Sequence, residues 1–156
     1  MKTALNKFCL LILPFILFLG FFVAGCKNGT ANSRYLENGY YTAEMMEPDP
    51  HGWKEFISIN VKNGRIVTVE YNAKNTSGFI RSWDPAYMRE MKTGDFIYPN
   101  KYTREYAFAL LNFQDLNRID VISGATQSYD SFILLSRAVI EQARTGNKQI
   151  AMVEQP

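Results

Sequence analysis

Asn63-Gly64 lies between two runs of alternating apolar residues, Glu55 to Val61 and Arg65 to Tyr71. Such a dipeptide between alternating runs is the strongest short-range signal for a β-hairpin. Register then decides which face can be buried. A two-residue turn pairs Val61 with Ile66 and places Thr68 and Glu70 beside Ile57, Ile59 and Val61, while Val67 and Val69 point the other way. A three-residue loop, Lys62-Asn63-Gly64 with Gly64 left-handed, pairs Val61 with Arg65, Ile59 with Val67 and Ile57 with Val69. One face is then apolar, and the other carries Ser58, Asn60, Thr68 and Glu70. A one-residue slip turns a whole strand to the wrong side, so the bulged three-residue loop is preferred.

The hairpin needs partners to cover its apolar face. Gly39 to Met45 is predicted as a first strand, rich in Tyr40, Tyr41 and Thr42 and ended by Pro48 and Pro50. Asp84-Pro85, followed by Tyr87, Met88 and Met91 and closed by Lys92 and Gly94, has the cap, first-turn proline and terminal glycine of a short helix. A second helix starts near Asn100 with Tyr106, Leu110 and Phe113 on one stripe. A third carries Phe132, Leu135, Val139 and Ala143, with Arg144 in its last turn and Gly146 to stop it. Arg118 to Ile122 reads as a short strand between them. Strands and helices segregate, which predicts an α+β domain, an antiparallel sheet with helices packed on it.

The chain of 156 residues does not all belong to that domain. Residues 1–25 hold 18 apolar side chains and five of the 11 Phe, behind Lys2 and Lys7. An apolar run from Phe8 to Val23, interrupted by Pro14 and Gly20 and followed by Ala24 and Gly25, is a secretory signal pattern, short for a permanent span. Val23-Ala24-Gly25-Cys26 resembles the lipobox of bacterial lipoproteins, which implies that Cys26 takes a diacylglyceryl group and becomes the new amino terminus. Two acyl chains suffice for stable anchoring. The expected organisation is a signal peptide over 1–25, a lipid anchor and polar tether over 26–38, a domain over 39–146 and a tail over 147–156.

Without the leader, net charge falls from +2 to zero, and neutrality argues against nucleic acid as a partner. Cys9 leaves with the leader and Cys26 is consumed by lipid, so the mature domain has no thiol for a disulfide, a nucleophile, a zinc site or an iron–sulfur cluster. Its one histidine, His51, reads as a loop residue. No metal site is expected, and redox work would need an organic cofactor.

The junction into the last helix, Asp120-Val121-Ile122-Ser123-Gly124-Ala125-Thr126-Gln127-Ser128, is the chemically distinctive segment. Small residues let the backbone approach a phosphate, and the free amides of a helix start favour an anion. A Thr126 or Ser128 side chain could equally cap the helix, and spacing alone favours capping.

Asp120 to Thr126 resembles the flavinylation motif of the FMN-binding domain family, an Asp followed two residues later by Ser-Gly-Ala-Thr. That family includes the C subunit of the sodium-pumping NADH:quinone oxidoreductase, the G subunit of the related Rnf complex and small surface lipoproteins. His51-Gly52-Trp53-Lys54, Arg81-Ser82-Trp83-Asp84 and the helix after the motif are similar to the lipoprotein branch, over about Gly39 to Gln142. The resemblance implies FMN held by a phosphoester on Thr126, with Ser123, Gly124 and Ala125 forming the turn and Asp120 as the motif's acid. Ser128 is a further cofactor-binding candidate. Trp53 could stack on the flavin, and Lys54 or Arg81 could face its anionic forms.

A flavin transferase, a membrane-bound electron donor (quinone or dehydrogenase) and the cytoplasmic membrane are then the implied partners. Lys27 gives no acidic retention signal, which leaves the outer membrane open in a two-membrane cell. The implied function is electron relay outside the cytoplasm by a carrier rather than an enzyme, since no dinucleotide fingerprint is present. The alternatives are a non-redox binding lipoprotein on the same fold and a small flavin reductase. The cleaved leader could also serve as the source of a short apolar pheromone.

Overall fold

A computed structural model describes residues 35–92 and 97–156. They belong to the compact unit that begins at Ala31. The leader, Cys26, the start of the tether and Gly94 lie outside the described residues. The order is β1 (Gly39–Met45), β2 (Lys54–Lys62), β3 (Arg65–Lys74), a 3-10 turn (Arg81–Trp83), α1 (Pro85–Glu90), α2 (Pro99–Phe113), a second 3-10 turn (Leu116–Arg118), α3 (Thr126–Thr145) and β4 (Ala151–Val153). The fold is α+β, a four-stranded sheet in the order β3-β2-β1-β4. It is mixed rather than wholly antiparallel, because β4 pairs in parallel with β1. The segment expected to be a tail thus supplies an edge strand.

The hairpin departs from the preferred register in an informative way. Asn63 and Gly64 both have positive φ, 53° and 72°, and Lys62 pairs with Arg65, so the turn is the two-residue one. Val61 pairs with Ile66, and Asn60 pairs with Thr68, leaving Val67 as the extra residue of a bulge. That one residue resets the alternation. Ile59 faces Val69 and Ile57 faces Tyr71, so Thr68 and Glu70 turn outward. The bulge lies inside β3, where composition gives no signal for it.

Ile57, Ile59, Val61, Ile66 and Tyr71 of the hairpin join Tyr41, Ala43 and Met45 of β1 in one buried layer. Against it α3 packs Phe132, Leu135, Val139 and Ala143, the predicted stripe, and α2 adds Tyr102, Tyr106 and Leu110. Gly146 ends α3 in the left-handed conformation, φ 68°. Arg118 to Ile122 is not a strand. Arg118 closes a 3-10 turn capped by the Asp115 carboxylate, and the chain runs on without a pairing partner. Among the described residues no helix is long and apolar enough to cross a membrane.

At the exposed edge of the sheet, the Gln114 side chain substitutes for a neighbouring strand. Its Oε1 accepts from the Ile66 amide at 2.9 Å, and its Nε2 donates to the Ile66 carbonyl at 2.9 Å. Gln114 itself is held left-handed, φ 55°, at the end of α2. Replacing it with Ala leaves both backbone groups without protein partners, and Gln114→Ala is expected to cost about 1–3 kcal/mol in urea denaturation. An unchanged midpoint would show that water replaces both bonds at no cost.

Candidate functional site

The Asp120–Ser128 segment is shaped by its backbone. The Ala125 amide donates to the Ile122 carbonyl at 2.9 Å with Gly124 at φ 81°, a type II turn over Ile122–Ala125. The third position of such a turn needs positive φ, which is the reason for glycine there. Ala125 is buried in the core cluster, where its small side chain fits, and Thr126 follows as the first residue of α3, exposed.

A tyrosine from α2 fixes this turn. The Tyr106 hydroxyl accepts from the Ile122 amide at 3.0 Å and donates to the Ala125 carbonyl at 3.3 Å. Tyr129 donates to the Ile119 carbonyl at 3.0 Å and steadies the approach to the turn. The sequence offered Tyr106 only as part of an apolar stripe; its hydroxyl is the feature that spacing could not show.

The residue preceding α3 makes no side-chain cap: Ala125 is the N-cap, and neither Thr126 nor Ser128 fills that role. Capping was the reading that spacing favoured. The first amides of a 20-residue helix are left to something other than its own side chains.

They border a pocket of about 300 Å³. Gly124, Ala125, Thr126, Gln127, Ser128 and Ser131 line one side, and Asp49, His51, Trp53, Glu55, Arg81, Tyr87, Tyr98 and Tyr102 are among the residues of the others. The loop before β2 is tightly built, with the Asp49 carboxylate accepting from the His51 and Trp53 amides at 2.9 and 2.8 Å. Trp53 is buried against Tyr87, ring centres 5.4 Å apart, and His51 meets the same ring edge-on.

The wall holds a buried ion pair, Arg81 donating to Glu55 Oε1 at 3.1 Å. That is the one hydrogen bond of the guanidinium among the described residues, so its other N–H groups can serve an acceptor in the pocket. Burial pushes the Tyr102 hydroxyl above its ordinary pKa, against the opposing pull of the nearby Arg81 charge. Tyr71, behind the wall, donates to the Ser128 carbonyl at 3.0 Å. Its pKa lies well above the ordinary phenol value, first through burial and then through the Glu55 carboxylate.

Of the residues the sequence nominated, Trp53, Arg81, Gly124, Ala125, Thr126 and Ser128 come together around this pocket. Lys54 does not. Alternation along β2 sends its side chain to the opposite face of the sheet, 3.8 Å from Glu44, which Lys74 also contacts. Asp120, before the turn, and Ser123, within it, are exposed and outside the pocket lining. Among the described residues no cluster of His, Cys, Asp and Glu could hold a metal ion.

Three outcomes test this description. Glu55→Gln strands the buried Arg81 charge and is expected to lower stability by about 3–5 kcal/mol in urea denaturation, with Glu55→Gln/Arg81→Met recovering part of the loss. Tyr106→Phe keeps the ring and removes both turn bonds, for an expected loss of about 1–3 kcal/mol. Above the ordinary phenol pKa of about 10 the unfolded chain releases a proton that native Tyr71 keeps, so stability is full below that pH and falls as pH rises through the native value. Melting temperature followed across that range should decline more shallowly in Tyr71→Phe; an identical slope would assign the decline to other groups.

No family model matches the chain. It is 36% identical over 121 residues to the 15 kDa lipoprotein of Treponema pallidum (strain Nichols), covering 78% of this chain and 86% of that protein. The crystal structure of the CPE2226 protein from Clostridium perfringens shares the fold, with a TM-score of 0.72 and 33% identity over 78% of this chain and 99% of that one. With more than a third of aligned residues identical over most of both proteins, the chain belongs to the family of the 15 kDa lipoprotein of Treponema pallidum.

Proposed function

We propose that this protein is a lipid-anchored, extracytoplasmic flavoprotein that carries FMN through a phosphoester on Thr126 and relays electrons in membrane-associated or extracellular electron transfer. The observation that carries the reading is the position of Thr126. It is exposed at the first turn of a helix without a side-chain cap, on the rim of a pocket walled by Trp53, Tyr87, Tyr98 and Tyr102. The lipoprotein relative and the Val23-Ala24-Gly25-Cys26 sequence support acylation of Cys26 as the anchor.

The residues present fit such a group. The first amides of α3 suit a phosphate, the aromatic walls suit a planar ring, and Arg81, fixed by Glu55, offers donors to the ring's polar edge. When bound, FMN supplies one- and two-electron storage without metal or thiol. The chain's own part is to hold and orient. Tyr106 and Gly124 fix the turn that presents the Thr126 hydroxyl, and Trp53 and Tyr87 close one wall of the pocket. Asp120, exposed before the turn, and Ser123, exposed within it, lie outside the pocket lining and are assigned in this reading to recognition by a flavin transferase. Asp120, the motif's one carboxylate, lies outside the pocket lining that includes Thr126, so this reading leaves attachment to the transferase. The electron donor in this reading is membrane-bound, a quinone or a dehydrogenase.

The pocket's volume, about 300 Å³, is at the lower end for ligand sites and favours one second reading, a binding lipoprotein that kept this fold without a flavin. Mass spectrometry of the exported protein, co-produced with a flavin transferase, separates the two. A gain of one FMN less one water, lost in Thr126→Ala and reduced in Gly124→Val, is the expected result. An unmodified mass in repeated preparations overturns the flavin reading.

A further inference from the structure

The end of the domain opposite Thr126 carries a second, differently built groove of about 620 Å³. Leu36, Ile66, Leu116 and Ile140 give it an apolar floor, and Arg65, Arg137 and Arg144 stand at its rim. All three arginines are exposed. Arg144 pairs with Glu141 at 3.3 Å, whereas Arg65 and Arg137 have no carboxylate within ion-pair distance among the described residues. The other acid of the groove, Asp115, already accepts from the Asn117 amide and side chain. Lys62 and Arg118, close in sequence to lining residues, are also exposed, Arg118 with its guanidinium 4.6 Å from the centre of the Phe113 ring.

Arginine in the last turn of a helix complements its dipole, and that accounts for Arg144. It does not account for Arg65, which follows the hairpin turn. A basic rim over an apolar floor, in a mature chain of zero net charge, matches a phosphate group that carries glycerol and acyl carbon behind it.

The tether supplies the second argument. Tyr35 lies beside the hairpin turn, its ring 3.7 Å from where a Cβ on Gly64 would stand, and Leu36 is itself part of the groove. Eight residues lie between Cys26 and Tyr35, so the nine Cα-to-Cα steps of an extended tether span at most about 30 Å. A groove this close to a covalent anchor sees membrane lipid at high effective concentration, and a weak contact is then enough to orient the domain.

We propose that this groove binds the headgroup of an anionic phospholipid in the bilayer that holds Cys26, seating the domain with its hairpin turn toward the membrane. The proposal rests on the lipid anchor and is independent of the flavin. It sets Thr126 away from the membrane, since the 20 residues of α3 span about 30 Å between the two ends.

The test uses the full chain, acylated through its own leader and reconstituted into vesicles of phosphatidylcholine with or without phosphatidylglycerol. Flotation with vesicles of either composition first verifies the anchor. Because the acylated mature chain has no free thiol, a fluorophore goes to a single introduced cysteine, Thr145→Cys at the groove end or Gln127→Cys at the far end. Energy transfer to an acceptor on the lipid headgroups is the readout. Several-fold stronger transfer from the Thr145→Cys probe is expected on phosphatidylglycerol vesicles, collapsing in molar salt and in Arg65→Gln/Arg137→Gln/Arg144→Gln. Equal transfer from the two probes, or a difference that persists on phosphatidylcholine or in molar salt, overturns the proposal. So does release of the contact by inorganic phosphate far beyond chloride of matched ionic strength, which would assign the groove to a free anion.

Discussion

The Tyr106 hydroxyl is the interaction on which the site depends. It enters the Ile122–Ala125 turn from α2 and satisfies a donor and an acceptor of the same backbone loop. Its ring lies parallel to Phe132, centres 5.1 Å apart, and also contacts Tyr71, Tyr102 and Tyr129. One side chain thus ties the start of α3 to the sheet, to α2 and to its own first turn. The polar atom that holds the Ile122–Ala125 turn sits at the end of a buried ring, so turn geometry and core packing cannot be altered separately.

The same economy holds on the pocket wall. Burying the Arg81–Glu55 pair costs desolvation that a well-packed apolar pair would avoid, so the pair is weak evidence for stability. It is better explained by what it leaves at the pocket: a guanidinium held in one orientation with donors to spare. On the outer face, Lys54 and Lys74 share Glu44. Charge there is engaged within the sheet, whereas Arg81 lines the pocket.

Legibility in the sequence followed periodicity. Gly39–Met45 and the stripe of α3 were fully visible, because two- and three-to-four-residue repeats are local properties of the chain. The hairpin is visible as a hairpin, but alternation alone puts the extra residue in the turn, whereas β3 absorbs it at Val67. The two arrangements differ in where one extra residue is absorbed, and only packing against α2 and α3 selects between them. Lys54 falls outside the site because it and Glu55, which lines the pocket, are neighbours in β2 and point to opposite faces. Tyr106 was seen as core and missed as the anchor of the turn, since a hydroxyl's partner 16 residues away leaves no trace in spacing. β4 was missed altogether: three residues near the terminus with one exposed methionine resemble an ordinary tail.

That short strand has a consequence for how the chain becomes a protein. β4 lies parallel to β1, joining Ala43 to Ala151 across about a hundred residues of intervening chain. β1 is made early in the chain and finds one of its two neighbours only after that intervening stretch has followed. The edge of β1 stays open throughout that interval, a delay intrinsic to pairings between distant segments. Until β4 docks, that edge of β1 offers unpaired backbone groups to any other strand, so three late residues decide whether the sheet is completed within one molecule.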